Sequence, residues 1–179
     1  TAEALGWITG PLAAWRTLAP PHSHTDEHHA PTTQLGFDDD VDIDQRVFWA
    51  ESVLRTMGLT DGFARLVVLS GHTSSTVNNP HATALECGAC AGASGASNAR
   101  AVASLLNQPD VRAGLYERGI EVPADTWFTG AIHEKTTDAV TLLDGHLAPS
   151  DHHDEIAALQ QRLDVAAELL AHCRPRHLP

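Results

Sequence analysis

Residues 65–100 read RLVVLSGHTSSTVNNPHATALECGACAGASGASNAR, and this stretch indicates the fold. Its residues 66–69 form a continuous apolar run, which is typical of a central parallel strand covered on both faces. The strand is expected to stop at Ser70-Gly71, so that His72 lies just past its end. In open α/β sheets, ligands bind at the carboxyl ends of the strands. The sequence therefore predicts an α/β domain with a candidate ligand site beside His72.

The polar loop after this strand contains candidate metal-ligating residues. It contains a turn signal at Asn78-Asn79-Pro80 and returns to the pair Cys87 and Cys90. Histidine and cysteine are zinc ligands, and a catalytic zinc commonly has three protein ligands and one open position. A strand-end histidine bonded to a backbone carbonyl beside a buried, inert cysteine explains the same pattern. The spacing is not that of a zinc finger, so the residues alone leave both interpretations open.

The rest of the chain alternates helices and strands. Asp42 or Asp44 is expected to cap the first helix, Asn98 the second and Asp154 the last. The predicted order is helix 45–57, strand 66–69, helices 99–106 and 111–116, strand 126–133, strand 139–143 and helix 155–172. This is an α/β order, and residues 98–118 are long enough to connect two parallel strands. Such a connection would place His133, at the end of its strand, close to the site.

Other features bound the classes of function. Hydrophobic residues make up 42% of the chain, which supports a packed core, and the formal net charge of −12 disfavours nucleic acid and anionic lipid as direct partners. No apolar run approaches the ~20 residues of a membrane span. Three cysteines indicate a reducing compartment.

Residues 1–36 are interpreted as a tail with a His/Pro-rich linker, and residues 37–179 as the α/β domain. The run of small residues 88–97 is expected to pack closely against the sheet.

A long collinear segment, residues 71–140, resembles the DabA family. It reads GHTSSTVNNPHATALECGACAGASGASNARAVASLLNQPDVRAGLYERGIEVPADTWFTGAIHEKTTDAV, and residues 172–179, HCRPRHLP, resemble the family more loosely. The resemblance implies a β-carbonic-anhydrase-like parallel-sheet core flanked by helices. It also implies Zn²⁺ held by two cysteines, an aspartate and a histidine. His72 and Cys87 match two of these ligands. Cys90, His133, Asn78 and Asn79 are candidates for hydrogen bonds to the ligands or for the lining of the pocket.

The other two family ligands lie in a Cys-x-Asp-x-Arg motif, which this sequence lacks. The family proteins are several times longer, so the chain is interpreted as a partial domain with half of the zinc site. Alone, it is expected to bind zinc weakly or not at all and to show no CO2 hydration.

For the intact protein, the resemblance implies conversion of CO2 to bicarbonate in an energy-coupled uptake complex. Its partner would be a membrane-embedded, proton-conducting subunit. Its location would be peripheral, on the cytoplasmic side of the inner membrane. The alternative function is a non-catalytic binding or assembly module whose CxxC is structural or redox-active.

Overall fold

The computed structural model describes residues 41–73 and 94–173, all within the compact unit Thr32–Pro179. A three-stranded sheet has the order β1-β2-β3, with β1 at Leu66–His72, β2 at Trp127–His133 and β3 at Val140–Leu143. β1 and β2 are parallel, whereas β3 pairs with β2 in the antiparallel direction. The α/β class and the parallel pairing of the first two strands are confirmed, in a sheet that is mixed. The division of the chain at residue 36 stays a prediction.

Four α-helices accompany the sheet. They are α1 at Ile43–Met57, α2 at Ala96–Leu106, α3 at Pro109–Glu117 and α4 at His153–Cys173, with 3₁₀ turns at Gly145–Leu147 and Ser150–His152 before α4. The left-handed Gly58, at φ +69°, ends α1. Two predicted caps were wrong. Gly95 rather than Asn98 occupies the N-cap of α2, and Asp154 lies within the first turn of α4.

The core lies on the face of the sheet that α2 covers. Its largest fully buried side chains are Leu54, Leu106, Leu115, Ile120, Val111 and Phe128. α1 contributes to this core by packing mainly on α3. The apolar positions Val47, Phe48, Val53 and Leu54 of its sequence predict a helix that covers the sheet. Val47 is buried, but Phe48 is 57% exposed. The prediction is therefore wrong for Phe48, which lies on the solvent-facing side of α1.

Two expectations about β1 also need correction. The strand does not stop at Ser70-Gly71, because its pairing with β2 continues to the last residue, where His72 is the register partner of His133. Nor is it a central strand covered on both faces. In the part of the chain that the structure describes, β1 is an edge strand, and residues 66–69 are each only partly buried.

A close approach of two glycines sets the position of α2 at the end of β1. A Cβ atom on Gly71 would lie 2.5 Å from the carbonyl carbon of Gly95, and one on Gly95 would lie 2.9 Å from the backbone nitrogen of His72. Only residues without side chains fit this crossing. The prediction that the small-residue run packs against the sheet is confirmed at Gly95. The crossing fixes the N-terminus of α2 beside His72.

Candidate functional site

The candidate site lies at the carboxyl end of the two parallel strands. His72 ends β1, His133 ends β2, and the two are register partners on neighbouring strands. Register partners in a parallel pair project from the same face of the sheet, so both imidazoles belong to one face. Both residues are partly buried. The structure therefore brings together the two histidines that the sequence placed at strand ends.

Backbone hydrogen bonds hold both histidines in place. The N–H of Gly95 donates to the carbonyl of His72 at 2.8 Å, and the N–H of Thr73 donates to the carbonyl of His133 at 3.0 Å. The first bond ties the start of α2 to the end of β1, and the second extends the strand ladder by one residue. Thr73 and Gly95, on either side of residues 74–93 in the sequence, are therefore both held at the ends of the two parallel strands.

His133 has an acidic neighbour that the sequence analysis did not single out. Its Nε2 lies 3.6 Å from Oδ1 of Asp138. Asp138 has a left-handed backbone at φ +60° and closes a turn in which the N–H of Glu134 donates to the carbonyl of Ala139 at 2.8 Å. Aspartate tolerates this conformation better than most residues. The turn thereby directs a carboxylate toward the imidazole, in a position that no sequence motif indicated.

Thr73 is the second residue that the sequence analysis missed. It is buried, and its Oγ1 has no hydrogen-bond partner among the described residues. A buried hydroxyl without a partner costs roughly 1–3 kcal/mol. Such an atom directly after His72 marks the carboxyl end of β1 as a place where a polar contact is missing from the described residues.

Four of the predicted site residues cannot be located. Cys87, Cys90, Asn78 and Asn79 lie outside the described residues, so the expected proximity of Cys87 to His72 stays a prediction. Within residues 41–73 and 94–173, no group of three or more histidine, cysteine, aspartate or glutamate side chains could hold a metal ion. Of the two ligands assigned by resemblance, the described residues contain only His72. They do not make a zinc site by themselves.

A cavity of about 240 Å³ lies between α2 and the segment that follows β3. Its charged lining residues pair with each other, since Nη2 of Arg100 donates to Oδ1 of Asp144 at 2.9 Å in a two-pronged ion pair. The hydroxyl of Thr129 donates to the carbonyl of Leu143 at 2.9 Å. These polar lining groups are therefore paired within the domain.

The titrating groups with clear shifts lie away from the two histidines. A hydrogen bond from Arg65 lowers the pKa of Asp151 below its usual value. Arg118 and Arg55 do the same to the pKa of Glu51, and burial lowers the pKa of Arg112. The Asp151 pair joins Arg65, directly before β1, to the turn before α4, and the pair between Glu51 and Arg118 joins α1 to the C-cap of α3. Among the helices in the described ranges, none combines the length and apolar character that a membrane crossing requires.

Comparison with known proteins agrees with the resemblance seen in the sequence. The family model described as "Probable inorganic carbon transporter subunit DabA" matches residues 1–179. Proteins of that description include one from Xanthomonas oryzae pv. oryzae (strain PXO99A), which is 51% identical over 154 residues, or 85% of this chain. Another, from Chloroflexus aurantiacus (strain J-10-fl), is 46% identical over 151 residues, or 82% of the chain. No solved structure matches.

An α/β domain with paired strand-end histidines is the class of protein that the structure defines. The chain belongs to the DabA family. It spans only about a fifth of the length of these relatives, 19% of the Xanthomonas protein and 18% of the Chloroflexus protein.

Proposed function

We propose that this chain is the part of an inorganic carbon transporter subunit that supplies half of a zinc site, with His72 and Cys87 as ligands. The observation that carries the proposal is the position of His72 at the carboxyl end of a parallel strand, in a chain that belongs to the DabA family. The relatives' descriptions as inorganic carbon transporter subunits support a role in inorganic carbon uptake.

The connectivity of the chain supports Cys87 as the second ligand. Thr73 follows His72 directly, and the N–H of Gly95 donates to the His72 carbonyl. Cys87 lies within the segment 74–93, eight residues before Gly95. Because the described residues on either side of 74–93 lie beside His72, a ligand from this part of the sequence is close to His72 along the chain at both ends. Cys90 belongs to the same segment and is the competing ligand.

The chemistry proposed for the intact protein is hydration of CO2 to bicarbonate. When bound, zinc supplies the Lewis acidity that makes hydroxide available from water near neutral pH. The role of this chain is to hold ligands. His72 is fixed by its register with β2 and by the Gly95 bond. His133 and Asp138 lie at the same strand ends, where they can orient polar groups around the ligands.

The intact protein is proposed to act with a membrane-embedded, proton-conducting subunit, on the cytoplasmic side of the inner membrane. The relatives' descriptions as transporter subunits support the existence of a partner. The same proposal holds that the 179-residue chain alone is inactive and binds zinc weakly, because it contains no Cys-x-Asp-x-Arg motif. Each missing ligand weakens a metal site that depends on all of its donors.

The proposal is tested by metal analysis and stopped-flow CO2 hydration on two samples, the 179-residue chain and a full-length family protein carrying this sequence. We expect stoichiometric zinc only in the full-length protein. There, Cys87→Ser should remove the zinc, whereas the matched variant Cys90→Ser should retain it. Stoichiometric zinc and CO2 hydration by the 179-residue chain would overturn the proposal that it supplies only half of the zinc site. Loss of zinc in both cysteine variants would instead favour a structural CxxC and the assembly-module alternative.

A further inference from the structure

The outer edge of β3 is closed by a side chain. The carboxamide of Gln160, from α4, accepts from the N–H of Leu142 at 2.8 Å and donates to the carbonyl of Val140 at 2.9 Å. A third bond, donated by Nε2 of Gln160 to Oδ1 of Asp164 at 2.8 Å, holds the carboxamide in place. A primary amide carries the same donor and acceptor as a peptide group, so Gln160 occupies the position of a residue in a neighbouring strand. This edge of the sheet cannot accept a further strand without displacing α4.

The outer edge of β1 differs in its hydrogen bonding. Trp127 donates its N–H to the carbonyl of Arg65, and Thr73 donates its N–H to the carbonyl of His133. In a parallel strand, the N–H and C=O of one residue point to the same side, and the side alternates along the strand. The odd-numbered residues from 65 to 73 therefore face β2, and the even-numbered ones face outward.

These outward groups lack partners over most of the strand. In residues 41–73 and 94–173, no hydrogen bond reaches the outward backbone N–H and C=O groups of Leu66, Val68 and Ser70. The open stretch ends at His72, whose outward carbonyl accepts from Gly95. Edge strands of this kind are a template for pairing with another chain.

The seven residues of β1 themselves lack the features that natural strands use to block an edge. Such edges are short, bulged, or interrupted by lysine and proline. β1 has seven residues, LVVLSGH, without lysine, proline or a break in its register. Its apolar run 66–69 is that of an interior strand, yet each of these residues is only partly buried. The composition of β1 thus suits a strand with neighbours on both sides.

We infer that the outer edge of β1, from Leu66 to Ser70, accepts a strand from the portion of a DabA-family polypeptide that lies outside these 179 residues. The relatives have the length to supply it, because more than four fifths of each lies outside the matched segment. Closure of the β3 edge by Gln160 leaves β1 as the side on which the described sheet can grow. The inference does not depend on zinc or on catalysis.

Amide hydrogen exchange, measured residue by residue, tests this inference. The samples are the 179-residue chain and a full-length family protein carrying this sequence. In the short chain, Val67 and Leu69 should be protected, and Val68 and Ser70 should exchange at least about tenfold faster. In the full-length protein, Val68 and Ser70 should become as protected as their neighbours. Fast exchange of Val68 and Ser70 in the full-length protein would overturn the inference. Protection already present in the short chain would also overturn it, because residues of this chain or a second copy would then be the occupant.

A matched pair of variants at Ser70 gives a second readout. Ser70 is exposed and its N–H faces outward, so Ser70→Pro removes one edge donor and leaves the β1–β2 bonds intact. Ser70→Ala keeps that donor. In the full-length protein, Ser70→Pro should raise the exchange rate of the Val68 amide at least about tenfold, and Ser70→Ala should not change it. Equal behaviour of the two variants, with the Val67 amide still protected in both, would contradict strand addition at this edge.

Discussion

The two ends of the β1–β2 pair are built differently. At the amino end, Arg112 donates to the carbonyls of Thr126 and Leu106 at 2.7 and 2.8 Å, and to Oδ1 of Asn107 at 3.0 Å. At the carboxyl end, His72 and His133 are partly buried, and Thr73 carries a buried hydroxyl with no partner among the described residues. Polar groups at the amino end are paired within the domain, whereas the buried hydroxyl of Thr73 at the carboxyl end has no partner among the described residues.

This difference separates stability from function. A polar group that is buried and paired contributes to the free energy of folding, and its loss leaves its partners unsatisfied. A group that is partly exposed at a strand end loses less when its contacts are removed, because water can replace them. We therefore expect substitutions at the amino end to change the free energy of unfolding, and substitutions of the two histidines to change function instead.

The largest effect is expected for Arg112→Met. Methionine keeps much of the apolar volume but removes the donors to Leu106, Asn107 and Thr126, and the guanidinium that lies 5.8 Å from the centre of the Phe128 ring. Because the buried acceptors lose their partner, the free energy of unfolding should fall by about 3 kcal/mol. Urea unfolding measures this, with exposed Arg162→Ala as the control. A loss no larger than that of the control would contradict the assignment of the amino end to stability.

Gly71→Ala tests the carboxyl end of the β1–β2 pair. The new Cβ would lie 2.5 Å from the backbone of Gly95, so the start of α2 must shift. Overpacking of this kind costs roughly 1–3 kcal/mol. Ser70→Ala, at the exposed neighbouring position, is the control for thermal unfolding. An unchanged melting temperature would show that α2 can move freely at the carboxyl end, and the fixed position of His72 would then be wrong.

Sequence patterns predicted the elements of the fold well and the surroundings of β1 poorly. The apolar run 66–69, the helical crossover and the strand ending at His133 follow from local periodicity, which the structure retains. Whether β1 has a neighbour on each side depends on distant parts of the polypeptide. No local pattern reports this, so an interior-type sequence was predicted as a central strand.

The candidate site was predictable only in part for a similar reason. The two histidines are found because strand ends are visible in the sequence. Asp138 and Thr73 were missed because their roles depend on a left-handed turn and on the burial of one hydroxyl. Asn98 was chosen as a cap because of its residue type, but the close contact between Gly71 and Gly95 determines where α2 begins. Contacts between residues that are distant in the sequence therefore determine these roles and the start of α2, and residue type alone does not predict them.

A smaller effect on thermal stability is expected at low pH. The bond from Arg65 lowers the pKa of Asp151 below 3.8, its usual value, so the stabilisation is present above that pH and is lost as the pH falls through the lower folded-state pKa. The difference in melting temperature between the wild-type chain and Asp151→Asn should therefore be largest near neutral pH and should vanish at the acid end. Exposed Asp61→Asn is the control. A difference that persists at low pH would mean that Asp151 acts through packing rather than charge.

The smallest effect on folding is expected for His133→Gln. The side chain is 39% exposed, and its one described ionic contact, to Asp138, is 3.6 Å long. The free energy of unfolding should therefore change by less than about 0.5 kcal/mol. Because His133 is proposed to lie beside the ligands rather than among them, the full-length protein should keep its zinc while its rate of CO2 hydration falls. Exposed His146→Gln should change neither quantity. Loss of zinc in His133→Gln would make His133 a ligand, and a large loss of stability would make it part of the structural frame. Either result would contradict the assignment of stability to the amino end of the β1–β2 pair and of function to its carboxyl end.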